Sequence, residues 1–266
     1  MQAATAALEE ISDRLVDHDR VVQHMISAIR NSDHHTEPFS HFYAEELFPP
    51  ALYAEILRRF PSPDAYAPVN LKRWSTADGK STRDNLFLTR SALGRLDPAD
   101  ASFWLGVTSA ITAPELKSAI FEVLAPDLER RFKVPRDRVA SIPSKDKVIL
   151  FRDLEDYKIE PHPDSKFKYV TVQLYLPKDN SQEDLGTSLY TENSLPRRLL
   201  SGQRFQEVKR FPFRPNSVYG FAVIKMGQRT SWHGRELIPG GKGVRNTIIH
   251  TYVDPSYDPE KMEYIR

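Results

Sequence analysis

The chain has no cysteine. Disulfides, thiolate nucleophiles and sulfur-ligated zinc or iron–sulfur centres are excluded, so any metal must be held by histidine, aspartate or glutamate. Net charge is also nearly absent. Lys and Arg number 37 against 36 Asp and Glu, which gives no electrostatic basis for a nucleic acid or a membrane surface as partner. No apolar run approaches the length that spans a bilayer. Acids interrupt "MQAATAALEEISDRLVDHDR", where a signal peptide needs an unbroken apolar segment. A reducing, cytoplasmic setting is the expectation.

What is present is the balance of a folded protein, 40% hydrophobic and 27% charged over 266 residues, and one compact unit over 1–266 is expected. Residues 5–30 read as an amphipathic helix. Its stripe is Leu8, Ile11, Leu15, Val22, Ile26 and Ile29, suited to packing or to dimerisation, so a monomer or a homodimer is expected. His18 and His24 on it read as surface or boundary residues. A short helix, "PALYAEILRRF", follows Pro49, and Asp97–Lys133 is mostly helical again, with "DPAD" as its N-terminal cap.

After about residue 137 the pattern changes. "KVILFRD", "KYVTVQLYL", "SVYGFAV" and "VRNTIIHTYV" are short β-rich segments without helices between them, the signature of an antiparallel sandwich or barrel. The fold class is therefore α+β, with a mainly helical support region over 1–135 and a β core over 136–256.

One motif bears on chemistry. His162–Pro163–Asp164 stands ahead of a strand, but with 8 histidines and 36 acids a His-x-acid triplet arises roughly once by chance. His35–Thr36–Glu37 is a second such triplet, between helices and with no strand behind it. Context separates the two. In "KYVTVQLYL", Val170, Val172, Leu174 and Leu176 form an aliphatic face, while Tyr169, Thr171, Gln173 and Tyr175 form a hydrogen-bonding one suited to a ligand pocket. Downstream, His233 lies near a strand end, and twelve residues later Arg245 opens a returning strand, sharing a face with Thr247 and Ile249. Two imidazoles and a carboxylate form the facial set that holds Fe(II) with open positions, and a buried carboxylate cosubstrate needs a fixed arginine.

From roughly Lys147 to Val253 the chain resembles the Fe(II)/2-oxoglutarate-dependent oxygenases, in particular their prolyl-hydroxylase-like branch. The resemblance implies a double-stranded β-helix (jelly-roll) core, with His162, Asp164 and His233 as catalytic iron ligands. It further implies Arg245 as the 2-oxoglutarate anchor, with Tyr175 binding the same carboxylate and Gln173 and Thr247 beside them. Fe(II), 2-oxoglutarate and O₂ would be required, with ascorbate as a reductant, and succinate and CO₂ released. The substrate would be a small molecule, such as an amino acid or a natural-product intermediate, most often hydroxylated. Asp164 argues against halogenation, which in this family goes with a small residue at that place. Ile249 departs from the family pattern, standing where some prolyl hydroxylases have another polar contact. A cupin-type metal hydrolase or isomerase, or a non-catalytic jelly-roll binding protein, is the alternative.

Arg152 and Tyr157, just upstream of the first histidine, and Tyr190 are candidates for substrate contact. Arg152 could equally pair with Asp153 or Asp156. "KDNSQEDLGTSLYTENSLPRRLLSGQRF" reads as an insertion, either a lid over the site or a disordered surface loop, with Gly186 and Tyr190 the residues there expected to approach the pocket. His250 falls on the face opposite Arg245, and His41 and Trp232 read as packing residues.

Overall fold

Proline in the first turn starts five of the seven described helices, and Asp17 and Thr89 cap the other two. The computed structural model describes residues 17–258. In chain order its elements are α1 (His18–Arg30), β1 (Asp33–His35), β2 (His41–Ala44), α2 (Pro50–Arg58), β3 (Ala67–Pro68) and β4 (Arg83–Phe87). Then come α3 (Arg90–Leu93), α4 (Pro98–Ile111), α5 (Pro114–Val123) and α6 (Ala125–Phe132). The second half holds β5 (Lys145–Asp153), β6 (Ile159–His162), β7 (Lys168–Tyr175), β8 (Thr187–Glu192), α7 (Leu195–Ser201), β9 (Phe205–Phe211), β10 (Ser217–Ala222), β11 (Trp232–Arg235) and β12 (Arg245–Val253).

The predicted helix over 97–133 is three helices. Pro114 and Pro126 each stand in a first turn, where the missing N–H costs no internal bond. Asp97 does cap α4, its side chain accepting from the Ala99 N–H. Leu8, Ile11 and Leu15 lie outside the described residues. The rest of that stripe is not left for a partner: Val22, Ile26 and Ile29 are buried in the cluster that α4–α6 share with the sheet. Each such aliphatic side chain, fully buried, stabilises the fold by about 1.5–3 kcal/mol. No described helix is long and apolar enough to cross a membrane.

The strands form two antiparallel sheets. The larger has the order β1-β2-β10-β7-β12-β5-β4-β3 and the smaller β6-β11-β8-β9. Along the chain β5, β7, β10 and β12 enter the first sheet while β6, β8, β9 and β11 enter the second, which is the double-stranded β-helix topology. Val170, Val172 and Leu174 of β7, with Leu176 just beyond it, pack towards the helices, and Thr171 and Gln173 face the interior between the sheets. Tyr169 departs from its predicted face, its ring edge-on to Phe132 at 4.6 Å.

Two features add to or depart from the sequence reading. Beside its helices the first half also carries β1–β4, which add two strands at each edge of the large sheet. They run two to five residues, mostly too short for a period of two to show in the sequence. The segment over 178–205 is not a covering insertion. It contains β8, a strand paired with both β11 and β9, and enters β9 through α7. Gly186 packs at this crossing, where a Cβ would lie 1.7 Å from the Phe211 carbonyl oxygen.

Candidate metal centre and its cavity

Strand register builds the centre. Antiparallel pairing of β6 with β11 sets His162 opposite His233, their ring centroids 4.3 Å apart. Gly234 permits this approach, because a Cβ there would stand 2.8 Å from the Ile159 carbonyl oxygen. Pro163 carries the chain out of β6 and Asp164 turns back, so that ligand atoms of His162, Asp164 and His233 all fall within 4.8 Å of one another. His35 and Glu37 are exposed and belong to no such group among the described residues.

Each imidazole is oriented from behind. Nδ1 of His162 lies 3.0 Å from the Glu160 carbonyl oxygen, and Nδ1 of His233 lies 3.0 Å from that of Ser231. Carbonyls only accept, so both Nδ1 atoms carry the proton and both Nε2 lone pairs are free to bind a metal. Burial, and then His233, lower His162 to about 3, and burial lowers His233. Burial pushes the Asp164 carboxyl up, but Lys168 and the two histidines outweigh it and hold it far below the usual carboxylate range. Two neutral imidazoles beside an anionic carboxylate are therefore set at neutral pH. The Thr171 hydroxyl donates to Asp164 Oδ2 at 2.7 Å and Lys168 Nζ donates to Oδ1. Each carboxylate oxygen keeps a lone pair for a cation. This donor set fits a divalent first-row metal with open positions.

The centre lies in a cavity of about 370 Å³ between the sheets. Arg245 lines it, yet its guanidinium is already engaged: Nη1 meets Asp153 at 2.7 Å and Nε donates to the Leu185 carbonyl at 2.8 Å. Asp153 also takes Arg83 Nε at 2.8 Å, so one carboxylate with no exposed surface pairs with two arginines and leaves the trio net positive. Tyr175 stands behind Arg245, the guanidinium 5.1 Å above its ring, and its hydroxyl accepts from the Thr187 N–H at 3.0 Å. It is not part of the cavity wall. Tyr219 lines the cavity and donates to Gln173 Oε1 at 2.6 Å, while Gln173 Nε2 donates to the buried Thr247 hydroxyl at 3.1 Å.

The upstream candidates separate by alternation. Ile149, Phe151 and Asp153 of β5 face the cavity, which turns Arg152 to the other side, where it meets Asp84 at 3.4 Å and covers Tyr66. Neither of its expected partners is used. Tyr157 does line the cavity, and its hydroxyl accepts from Arg83 Nη1 at 2.6 Å. Tyr190 pairs with Trp232 across β8 and β11, outside the cavity, and Trp232 packs on Phe205 at 4.8 Å, its ring away from the centre. His250 is buried against the helices, Nε2 2.7 Å from Asp146, and His41 packs edge-on against Phe211.

Arg83, Lys168 and Arg235 line the cavity and have no place in the sequence-based reading, and Asp153, there only a possible partner of Arg152, lines it too. Asp153 was within reach, since Ile149 and Phe151 already set its face. Lys168 follows Asp164 by four residues across a turn, and Arg83 arrives from β4, for which the sequence gives no sign.

No family model and no curated protein matches this chain. Among solved structures it is similar to a prolyl hydroxylase from Trichoplax adhaerens in complex with a hypoxia inducible factor oxygen degradation domain peptide fragment. That pair shares 14% identity over 91% of this chain and 92% of the other, TM-score 0.49. It is also similar to the dioxygenase for auxin oxidation 1 of Arabidopsis thaliana in its 2-oxoglutarate complex, at 16% identity over 86% and 88%, TM-score 0.49. A prolyl-4-hydroxylase from Pseudomonas putida has 12% identity over 86% and 98%, TM-score 0.47.

Proposed function

We propose that this chain is a non-haem Fe(II)- and 2-oxoglutarate-dependent oxygenase that oxidises, by hydroxylation, a small organic substrate bearing an acidic group. The observation that carries this reading is the polarity of one cavity. Neutral His162 and His233 with anionic Asp164 converge at one place in it, and arginines stand beyond them. A dianionic oxo acid fits between a divalent metal and a guanidinium.

In this reading His162 and His233 hold the metal through Nε2 and Asp164 holds it through a carboxylate oxygen. The Glu160 and Ser231 carbonyls fix both rings, and the Thr171 hydroxyl fixes the carboxylate. Iron, when bound, supplies O₂ activation for the overall change 2-oxoglutarate + O₂ + R–H → succinate + CO₂ + R–OH. Gln173 and Tyr219 line the cavity and, through the bond of Gln173 to the buried Thr247 hydroxyl, form a hydrogen-bonded chain that keeps its shape. Lys147, Lys168 and Lys225 also line it. With the cosubstrate bound, cations still outnumber acids, which supports a negatively charged substrate such as an acidic amino-acid derivative. The support region over 1–135 and the barrel over 136–256 would act as one unit.

The test is succinate formation from 2-oxoglutarate with Fe(II), O₂ and ascorbate. We expect Fe(II)-dependent succinate that is lost in His162→Ala and rises when small organic anions containing the substrate are supplied. Succinate formation that is equal in wild type and His162→Ala would contradict the reading.

A further inference from the structure

Arginine 235 is the unusual residue of the cavity. It ends β11, two residues after His233, and lines the same cavity although it is 5% exposed. Its Nη1 makes a long contact of 3.4 Å to the Gly186 carbonyl. Its Nε and Nη2 have no hydrogen-bond partner among the described residues. A buried guanidinium with two open donors is costly unless a ligand completes it. An arginine side chain is a permanent cation at neutral pH.

The geometry of the open donors is specific. Nε and Nη2 lie on one edge of the guanidinium plane, and their two N–H bonds run parallel. That edge is the fork that grips both oxygens of a carboxylate. Arg245 is differently placed. Asp153, the Leu185 carbonyl and, at 3.4 Å, the Thr187 hydroxyl already occupy its Nη1, Nε and Nη2. The consecutive carbonyls of Leu185 and Gly186 each face one of the two arginines and hold them side by side.

We infer that Arg235 on β11, not Arg245 alone on β12, receives the carboxylate of the oxo acid farthest from the metal. Arg245, fixed by Asp153, is its neighbour and adds positive potential. This rests on the proposed function, because it presumes a 2-oxo dicarboxylate as cosubstrate. Sequence gave no pointer to it: β6 and β11 shift register between His233 and Arg235, and the spacing alone does not say where the side chain goes.

The test is a binding cycle without turnover. Calorimetry, with Mn(II) bound and O₂ excluded, compares 2-oxoglutarate with 2-oxopentanoate, which has the same chain and a methyl group in place of the far carboxylate. Wild type should prefer 2-oxoglutarate by at least about tenfold. In Arg235→Met that preference should fall to near unity, with affinity for Mn(II) and for 2-oxopentanoate unchanged. Arg235→Lys keeps charge and bulk but loses the fork, so most of the preference should go there too, which serves if the methionine variant does not fold. Full preference in either folded variant overturns the inference and leaves the proposed function standing. Wild type that binds Mn(II) but neither oxo acid overturns both.

Discussion

Aspartate 153 is the residue on which the deep end of the cavity depends. It has no exposed surface and pairs with Arg83 and Arg245 at 2.8 and 2.7 Å. Breaking a buried ion pair by removing one partner leaves uncompensated charge, typically at a cost of about 3–5 kcal/mol. Asp153→Asn should lower unfolding stability by that order in urea titration; a change below 1 kcal/mol would show that the arginines find other partners. Tyr175 makes a contrasting case. Its hydroxyl takes the Thr187 N–H and stands outside the cavity wall. Tyr175→Phe should therefore cost about 1–3 kcal/mol of stability for the orphaned buried N–H. Affinity for 2-oxoglutarate should stay within about twofold in the same calorimetric assay; a tenfold loss would put the hydroxyl on the ligand. The three metal-binding candidates were legible because histidine and aspartate at that spacing beside an alternating strand constrain chemistry and position together. Arg235 was not, because a β-bulge separates sequence spacing from side-chain direction.

At the level of elements, the β6–β11 pair carries the site. His162 and His233 face each other only because Gly234 lets the strands approach, with 2.8 Å left for any Cβ against Ile159. Gly234→Ala should push β11 away and weaken Mn(II) affinity by about tenfold or more, the scale on which misorienting ligands acts. Unchanged affinity would mean that the register survives a spread pair. The alternation of β7 was readable because one face is aliphatic throughout. In β8, "TSLYTE", the outward side is polar and the flanks are charged, so a strand of the small sheet reads as a surface insertion. β1 and β3, at three and two residues, carry no period to read.

Over the whole molecule, a chain of net charge +1 lines one cavity with seven Lys and Arg side chains against two aspartates. Buried His41 and half-buried His162 also set the pH response of the metal-free protein. Burial lowers His41 from 6.5 to about 4, and His162 falls to about 3. The unfolded chain takes up these protons as pH drops below 6.5, while the folded chain does not until near 4 and 3. Stability is therefore full above pH 6.5 and lost as pH falls from 6.5 to 4 for His41 and to 3 for His162, each contributing a slope of up to about 1.4 kcal/mol per pH unit. The urea midpoint should fall between pH 7 and pH 5, less so in His41→Gln. Equal midpoints at both values would contradict the buried neutral state.

The most direct measurement is an anaerobic titration of the protein with Fe(II) and 2-oxoglutarate, followed by visible absorption. Chelation of an iron held by His162, Asp164 and His233 should give a saturable metal-to-ligand charge-transfer band in wild type, at one equivalent of each, and none in His162→Ala. No band in folded wild type at saturating Fe(II) and 2-oxoglutarate would show that this cavity does not assemble the oxygenase centre.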